Sequence, residues 1–174
     1  MSNPVLKAIE ERRSIRAYKA EKITREQIDI LLKAAEEAPS AGNRQPWHFS
    51  VVQNPELLKE INAEASRVLE KDLGDIFYGA PLAIFLSCDP ANRWGRHDCG
   101  IAVQNIALAA HSLGLGSVIL GRPEPAFTGP KAEYFNKRFK FPETFSFAVA
   151  IAIGVPAASK EAHPIEPDRI SFVD

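Results

Sequence analysis

Cysteine is scarce in this sequence, and its two cysteines form neither a disulfide framework nor a zinc motif. Cys88 and Cys99 lie near Asp89 and His97, but no pair among these four residues has the spacing that zinc ligands usually show. We therefore expect reduced thiols, no bound metal, and Cys99 as a small apolar filler. The first residues also lack the basic and apolar regions of a signal peptide, so the sequence predicts a cytoplasmic protein.

Long hydrophobic runs and a large net charge of either sign are missing as well. The longest nearly apolar stretch, residues 145–155, is far shorter than the roughly 20 residues that a membrane span requires. The formal net charge of -1 gives no general attraction to nucleic acid or to an anionic membrane. We expect neither partner, and any anion site must be local.

Glycine is present, but not in the patterns that mark nucleotide-binding or hydrolase motifs. Gly114, Gly116 and Gly121 are spaced wrongly for G-x-G-x-x-G and follow a helix instead of a strand. There is no Walker loop, H-E-x-x-H or G-x-S-x-G pattern. With 174 residues, 45% of them hydrophobic, and no repeat or linker, the chain predicts a single domain over residues 1–174.

Hydrophobic periodicity predicts helices and strands in an order typical of an α+β fold. Helices are predicted over residues 4–13, 24–38, from residue 55 onward, 98–113 with Asp98 as N-cap, and 130–139. Strands are predicted over residues 47–53, 82–88, 117–120 and 145–153. Residues 82–88 show no polar alternation, which indicates a strand covered on both faces. The helix that starts at Asp98 is apolar on nearly every face, so it is expected in the core or in a subunit interface.

The first polar segment of interest is residues 12–18, where the opening helix gives way to irregular chain. Arg12, Arg13 and Arg16 place three guanidinium groups beside the hydroxyl of Ser14. Arginine binds phosphate oxygens through paired, charge-assisted hydrogen bonds, so this segment is suited to a phosphate. A solvated basic helix end is the alternative on composition alone.

The second segment is residues 38–49, a loop of turn-forming residues between a helix and a strand. It gathers amide, hydroxyl and guanidinium donors that can bind the carbonyl and imide edges of a heterocycle. An ordinary connection with Trp47 and Phe49 in the core explains the same residues equally well. His48 and His111 are interpreted as hydrogen-bonded core imidazoles.

Together the two segments resemble the nitroreductase family of FMN enzymes. The pattern R-R-S-I-R-x-Y at residues 12–18 is followed by A-P-S-A-G-N-x-Q-P-W-x-F at residues 38–49. The similarity continues through residues 78–81, 98–105, 113–116 and 153–156, and so covers almost the whole chain. The resemblance implies a nitroreductase-like fold, with a mixed, mostly antiparallel sheet flanked by helices. It also implies an intertwined homodimer whose flavin sites lie at the subunit interface and whose C-terminal tails are exchanged.

The resemblance further implies which residues hold the cofactor. The FMN phosphate is assigned to Arg12, Ser14 and Arg16, with Arg13 as their neighbour. The loop that contacts the flavin from the partner subunit is assigned to Pro39, Ser40, Ala41, Asn43 and Gln45. Asn62 corresponds to an amide near the pyrimidine edge, and the backbone at Leu120, Gly121 and Arg122 corresponds to the stretch beside flavin N5.

The C-terminal segment departs from the family pattern. Family members commonly bring Lys and Arg from this segment to the phosphate, whereas Lys160 and His163 stand in the comparable region here, with Arg169 further on. If His163 replaces an arginine, the charge at this corner depends on pH.

The function implied by the resemblance is hydride transfer from NADH or NADPH through flavin N5 to a nitroaromatic, a quinone or a similar electrophile, by a ping-pong mechanism. The cofactor carries this chemistry, so no protein acid or nucleophile is required. Two alternatives stay open: a specialised flavin-consuming, dehalogenating or enone-reducing member, and a non-enzymatic module that stores or senses FMN. The short chain leaves little room for large lids, which favours a broad acceptor range.

Overall fold

The computed structural model describes residues 3–173 and contains a four-stranded sheet with helices on both faces. Its strands are β1 (Trp47–Val52), β2 (Leu82–Cys88), β3 (Gly116–Leu120) and β4 (Ser146–Gly154). They lie in the order β1-β2-β4-β3, and every pairing between them in the described part of the chain is antiparallel. A parallel contact is made by the isolated bridge from Ser14 to Ser117. The α+β class predicted from the sequence is confirmed.

Six helices accompany the sheet in residues 3–173. They are α1 (Pro4–Glu11), α2 (Arg25–Glu36), α3 (Pro55–Val68), α4 (Gly95–Ser112), α5 (Glu124–Thr128) and α6 (Ala132–Arg138). Short 3₁₀ turns lie at Ala41–Asn43 and Pro167–Arg169. No helix in the described residues is long and apolar enough to cross a membrane.

The buried side chains of β2 divide the core into two layers. Leu82, Ile84 and Leu86 pack with α2 and α4 on one face of the sheet. Ala83 and Phe85 point to the other face, where α3, α5 and α6 complete an aromatic cluster. All seven residues of this strand are buried, which confirms the prediction of a strand covered on both faces.

The N-terminus of α4 corrects a prediction. We expected Asp98 to cap this helix, but α4 begins at Gly95, and the N–H of Asp98 already donates to the carbonyl of Trp94 at 2.9 Å. The buried carboxylate of Asp98 instead accepts from the N–H of Ala41, at 3.2 and 3.3 Å. A carboxylate at the N-terminus favours a helix both as the N-cap and within the first turn. The local sequence therefore did not distinguish these two positions for Asp98.

A second difference is α5, which the sequence-based prediction left out. Its five residues begin with Glu124 and Pro125 and end at Gly129, a composition typical of a turn. Proline is tolerated in the first turn of a helix because the N–H of that residue needs no helical partner. The buried side chains of Ala126 and Phe127 then hold this short helix against the aromatic cluster.

A buried carboxylate ties α3 to the turn before α6. Glu64 is buried, its Oε1 accepts from Nη2 of Arg67 at 2.6 Å, and its Oε2 lies 3.4 Å from Nζ of Lys131. The hydrogen bond from Arg67 is the main cause that lowers the pKa of Glu64. We expect Glu64→Gln to lower the free energy of unfolding by about 1 to 3 kcal/mol at neutral pH, because the amide loses these charge-assisted contacts.

The pH dependence of this loss follows from the direction of the pKa shift. A carboxyl group whose pKa is lower in the folded state stabilises the protein above its unfolded pKa, and this contribution disappears as pH falls through the folded value. Urea unfolding of Glu64→Gln and the parent protein at neutral pH and at about pH 3 measures the effect. A difference between the two proteins that does not shrink at low pH would contradict the assignment.

Candidate functional site

Residues 12–18 meet the start of β3 and then pair with the chain that follows β4. The N–H of Ile15 donates to the carbonyl of Ser117 at 2.9 Å, and Tyr18 forms an antiparallel bridge with Pro156 after β4. A Cβ at Gly116 would lie 3.0 Å from the side chain of Ile15, so glycine allows the segment to approach this closely. The backbone that carries the arginines is therefore fixed against the sheet.

The three guanidinium groups of this segment have few partners of their own. Nε of Arg12 is buried and has no hydrogen-bond partner among residues 3–173. Arg13 donates to the carbonyls of Glu10 and Arg12, the latter at 2.9 Å. Within the described residues, Arg16 donates only to the carbonyl of Ser14, at 3.4 Å, and lies over the ring of Tyr78. No carboxylate in the described chain forms an ion pair with any of them, which leaves their positive charge available to an anion.

The loop before β1 holds three residues in the left-handed region of backbone space. Gly42, Asn43 and Gln45 have φ values of 61°, 54° and 48°. Ser40 stabilises this turn, since its Oγ accepts from the N–H of Gln45 and its carbonyl accepts from the N–H of Asn43, both at 2.9 Å. Such strain is uncommon for residues other than glycine and occurs often at functional sites.

The loop is also anchored to the rest of the fold, and its polar groups face outward. The contact between Ala41 and Asp98 holds it at the N-terminus of α4. Pro39, Asn43 and Gln45 are exposed, whereas Ser40 and Ala41 are half-buried. The amides of Asn43 and Gln45 meet through a hydrogen bond of 3.2 Å. They are thereby presented together on the surface.

The arginine segment and this loop lie at opposite ends of α4. The loop contacts Asp98 in the first turn, and the arginine segment bonds to Ser117, just beyond the last turn. This helix has 18 residues and so is about 27 Å long. Within one chain, therefore, the structure does not bring the two predicted parts of the site together.

The predicted ring-binding backbone lies at the far end of β3 from the arginines. Leu120 is buried, Gly121 is exposed, and the carbonyl of Gly121 accepts from the N–H of Glu124 at 3.0 Å. The strand from Gly116 to Leu120 spans about 13 Å. A ligand with a phosphate at the arginine segment and a ring near Gly121 would therefore run beside β3.

Asn62 lies apart from these residues, in a cleft of about 780 Å³ between α3 and residues 72–81. Its Nδ2 donates to the carbonyl of Gly74 at 2.6 Å, and its Oδ1 accepts from the N–H of Ile76 at 2.8 Å. Each of these atoms retains one further hydrogen-bonding position for a ligand. The structure thus assigns Asn62 a structural contact and leaves its predicted contact with the flavin untested.

The predicted tail residues form no hydrogen bond or ion pair with the three arginines of their own chain within residues 3–173. Lys160 and His163 are exposed, and Nδ1 of His163 lies 2.9 Å from the carbonyl of Pro164. Arg169 forms an ion pair with Glu166 at 2.6 Å. The N–H of Ala157 donates to the carbonyl of Ala17 at 2.9 Å, so the tail starts beside the arginine segment.

Two residues near the predicted site make contacts that the sequence did not predict. Asp98 anchors the loop through Ala41, and Tyr78, at φ 58°, lies under the guanidinium of Arg16. Both lie in segments that carry the family resemblance, but only their tertiary contacts indicate what they do.

Comparison with known proteins shows the family of this chain. A model of the Nitroreductase family matches residues 9–155. A relative from Methanothermobacter thermautotrophicus, named "Putative NADH dehydrogenase/NAD(P)H nitroreductase", is 39% identical over 95% of this chain and 85% of its own. The solved nitroreductase with bound FMN from Desulfitobacterium hafniense has a TM-score of 0.90 at 38% identity and covers 100% of both chains. The nitroreductase with bound FMN from Bacteroides fragilis has a TM-score of 0.90 at 26% identity over 99% of this chain and 100% of its own. The protein therefore belongs to the nitroreductase family.

Proposed function

We propose that this protein is an FMN-dependent oxidoreductase that uses NADH or NADPH to reduce nitroaromatics, quinones or similar electrophiles by a ping-pong mechanism. The observation that carries the proposal is the arginine segment, which is fixed against β3 and has no carboxylate partner in the described chain. The bound FMN of the relative from D. hafniense supports the choice of flavin. FMN, when bound, supplies N5 as the atom that accepts and then donates hydride.

The residues present fit the phosphate of such a cofactor. The buried Nε of Arg12 lacks a partner among residues 3–173, and an anion would satisfy it. We assign the phosphate to Arg12, Ser14 and Arg16, with Arg13 as an outer neighbour that adds charge. The exposed backbone at Gly121 and Arg122, after the buried Leu120, is left to orient the ring.

The loop of the partner subunit completes each site in this proposal. Its residues are Pro39, Ser40, Ala41, Asn43 and Gln45. Their separation from the arginine segment by the length of α4 supports a site built from two chains. The protein is accordingly proposed to be a homodimer with one flavin site at each end of the interface.

Exposed apolar side chains support the dimer. Val5, Leu6 and Ile9 of α1 are 62%, 64% and 51% exposed, although they form the apolar stripe of that helix. Ile170 and Phe172 in the tail are 63% and 93% exposed. Several large apolar side chains exposed on one helix are typical of protein interfaces. We assign the apolar face of α1 to the contact between subunits, and the apolar tail residues to the exchange of C-terminal tails.

The exchanged tail is expected to bring a cation to the partner's phosphate site, and His163 makes that contribution testable. If His163 meets the phosphate, removing its side chain should weaken FMN binding, because the site loses a hydrogen-bond donor to the anion. FMN titrations of the parent protein and of two variants measure this contribution.

Two variants provide the controls for His163. His163→Arg should bind FMN at least as tightly as the parent protein, because arginine is always charged and its guanidinium donates to phosphate oxygens. His163→Ala should bind FMN more weakly than the parent protein. Identical curves for all three proteins would contradict the role of His163 and would leave Lys160 or Arg169 as the tail's phosphate contact.

The test of the proposed function is reduction of the bound flavin. The purified protein is expected to release FMN, and not FAD, on acid treatment, as identified by chromatography. Under anaerobic conditions NADH or NADPH should bleach the flavin absorbance, and a nitroaromatic or quinone added afterwards should restore it. If neither NADH nor NADPH bleaches the flavin, the result contradicts the proposed enzymatic function and favours a module that only binds FMN.

A further inference from the structure

We propose that Tyr78 is a positioning residue of the phosphate site, which holds the guanidinium of Arg16 in the orientation that binds the anion. Cζ of Arg16 lies 5.9 Å from the centre of the Tyr78 ring, within the range of a cation–π contact. This inference rests on the proposed function, because that function places Arg16 at the FMN phosphate.

The backbone at Tyr78 is strained. Its φ of 58° lies in the left-handed region, which large side chains seldom occupy. Gly79 follows with φ 73°, so the chain makes two consecutive left-handed steps. Strain of this kind persists only where the surroundings fix the conformation, and its presence calls for a reason at that position.

The side chains of Asp75 and Asn62 fix the backbone around Tyr78 in this conformation. The carboxylate of Asp75 accepts from the N–H of Phe77 at 2.9 Å and from the N–H of Gly79 at 2.6 Å. Asn62 holds the chain on both sides of Asp75, since its Nδ2 donates to the carbonyl of Gly74 and its Oδ1 accepts from the N–H of Ile76. Four backbone groups around Tyr78 are thus fixed by two side chains, and this sets the direction in which the ring leaves the loop.

The ring restricts Arg16 without neutralising it. The backbone next to Arg16 is already fixed, since Ile15 donates to Ser117 and the hydroxyl of Tyr18 donates to the carbonyl of Ile15 at 2.7 Å. The side chain of Arg16 is exposed, and among residues 3–173 its only hydrogen bond is the one of 3.4 Å to the carbonyl of Ser14. A carboxylate in place of the ring would compete with the phosphate for the guanidinium. An aromatic face orients the guanidinium and leaves its N–H groups free.

A double-mutant cycle on FMN affinity tests the contact. Tyr78→Asn removes the ring and places a residue that tolerates positive φ, and Tyr78→Gly removes both the ring and the strain. We expect either variant to raise the Kd for FMN by about two- to fivefold. Tyr78→Phe keeps the aromatic face, so its Kd should stay close to that of the parent protein. In an Arg16→Ala background, the same replacements of Tyr78 should have no further effect.

Riboflavin separates this role from a general structural one. It lacks the phosphate, so loss of the Tyr78 ring should leave riboflavin affinity unchanged. An equal loss for FMN and riboflavin, or a loss of FMN affinity that persists in the Arg16→Ala background, would overturn the inference. So would a Tyr78→Gly protein that binds FMN as the parent does. If the parent protein itself binds no FMN, the proposed function fails, and that result is distinct from all of these.

Discussion

Replacing Arg16 with alanine is expected to raise the Kd for FMN by about tenfold or more, with little change in thermal stability. The side chain of Arg16 is exposed and contributes no buried packing, so the fold does not depend on it. Its guanidinium has no carboxylate partner in the described residues and is expected to form charge-assisted hydrogen bonds with the phosphate. Titration of the flavin-free parent protein and of flavin-free Arg16→Ala with FMN, followed by flavin fluorescence, gives the Kd of each.

Two controls show whether the loss of affinity is specific to the contact between Arg16 and the phosphate. Arg13→Ala removes the same charge from the same segment, but Arg13 already donates to the carbonyls of Glu10 and Arg12, so a smaller rise is expected. Riboflavin should bind the parent protein and Arg16→Ala with similar affinity, because it has no phosphate. If the thermal midpoint of Arg16→Ala falls sharply while its FMN affinity is unchanged, the segment is a basic helix end and its assignment to the phosphate is wrong.

The elements that the sequence predicted correctly have short-range causes. Thr24 and Gln27 form the expected capping box at the start of α2, with both reciprocal hydrogen bonds present. The apolar run of β2 was recognisable because a strand covered on both faces leaves no room for polar alternation. In both cases the information lies within a few consecutive residues.

The structure differs from the prediction where contacts between distant parts of the chain determine the conformation. Asp98 has the composition of an N-cap, and only the approach of Ala41 from another segment gives its carboxylate a different partner. The helix α5 exists because Phe127 reaches an aromatic cluster assembled from several elements. Neither partner is visible in the local sequence.

The candidate site also combines features that the local sequence predicts with features that depend on tertiary structure. The linear patterns at residues 12–18 and 38–49 identified the two main polar segments, because each segment gathers its chemistry in one stretch. The strained backbone of Tyr78, the contacts that engage Asn62 and the distance between the two segments depend on tertiary structure. Which chain supplies the loop to a given flavin is a question of assembly, and it leads to the second large effect.

Dimers made from two different variants are expected to recover flavin binding that each variant lacks alone. One variant carries Arg16→Ala. The other carries Asn43→Gly and Gln45→Gly, which remove the loop amides but keep a residue that accepts positive φ. If each site combines the arginines of one subunit with the loop of the other, a mixed dimer has one site with both changes and one site with neither. Each variant alone has a defect in every site.

The purified mixed dimer provides the measurement, with different affinity tags on the two subunits to isolate it. The proposed two-chain site predicts about one FMN bound per mixed dimer with the affinity of the parent protein. NADH or NADPH should bleach this flavin under anaerobic conditions at the parent rate. If arginines and loop of one subunit formed the site, every site of the mixed dimer would carry a defect. A mixed dimer that recovers neither the FMN affinity nor the bleaching of the parent protein would therefore contradict a flavin site built from two subunits.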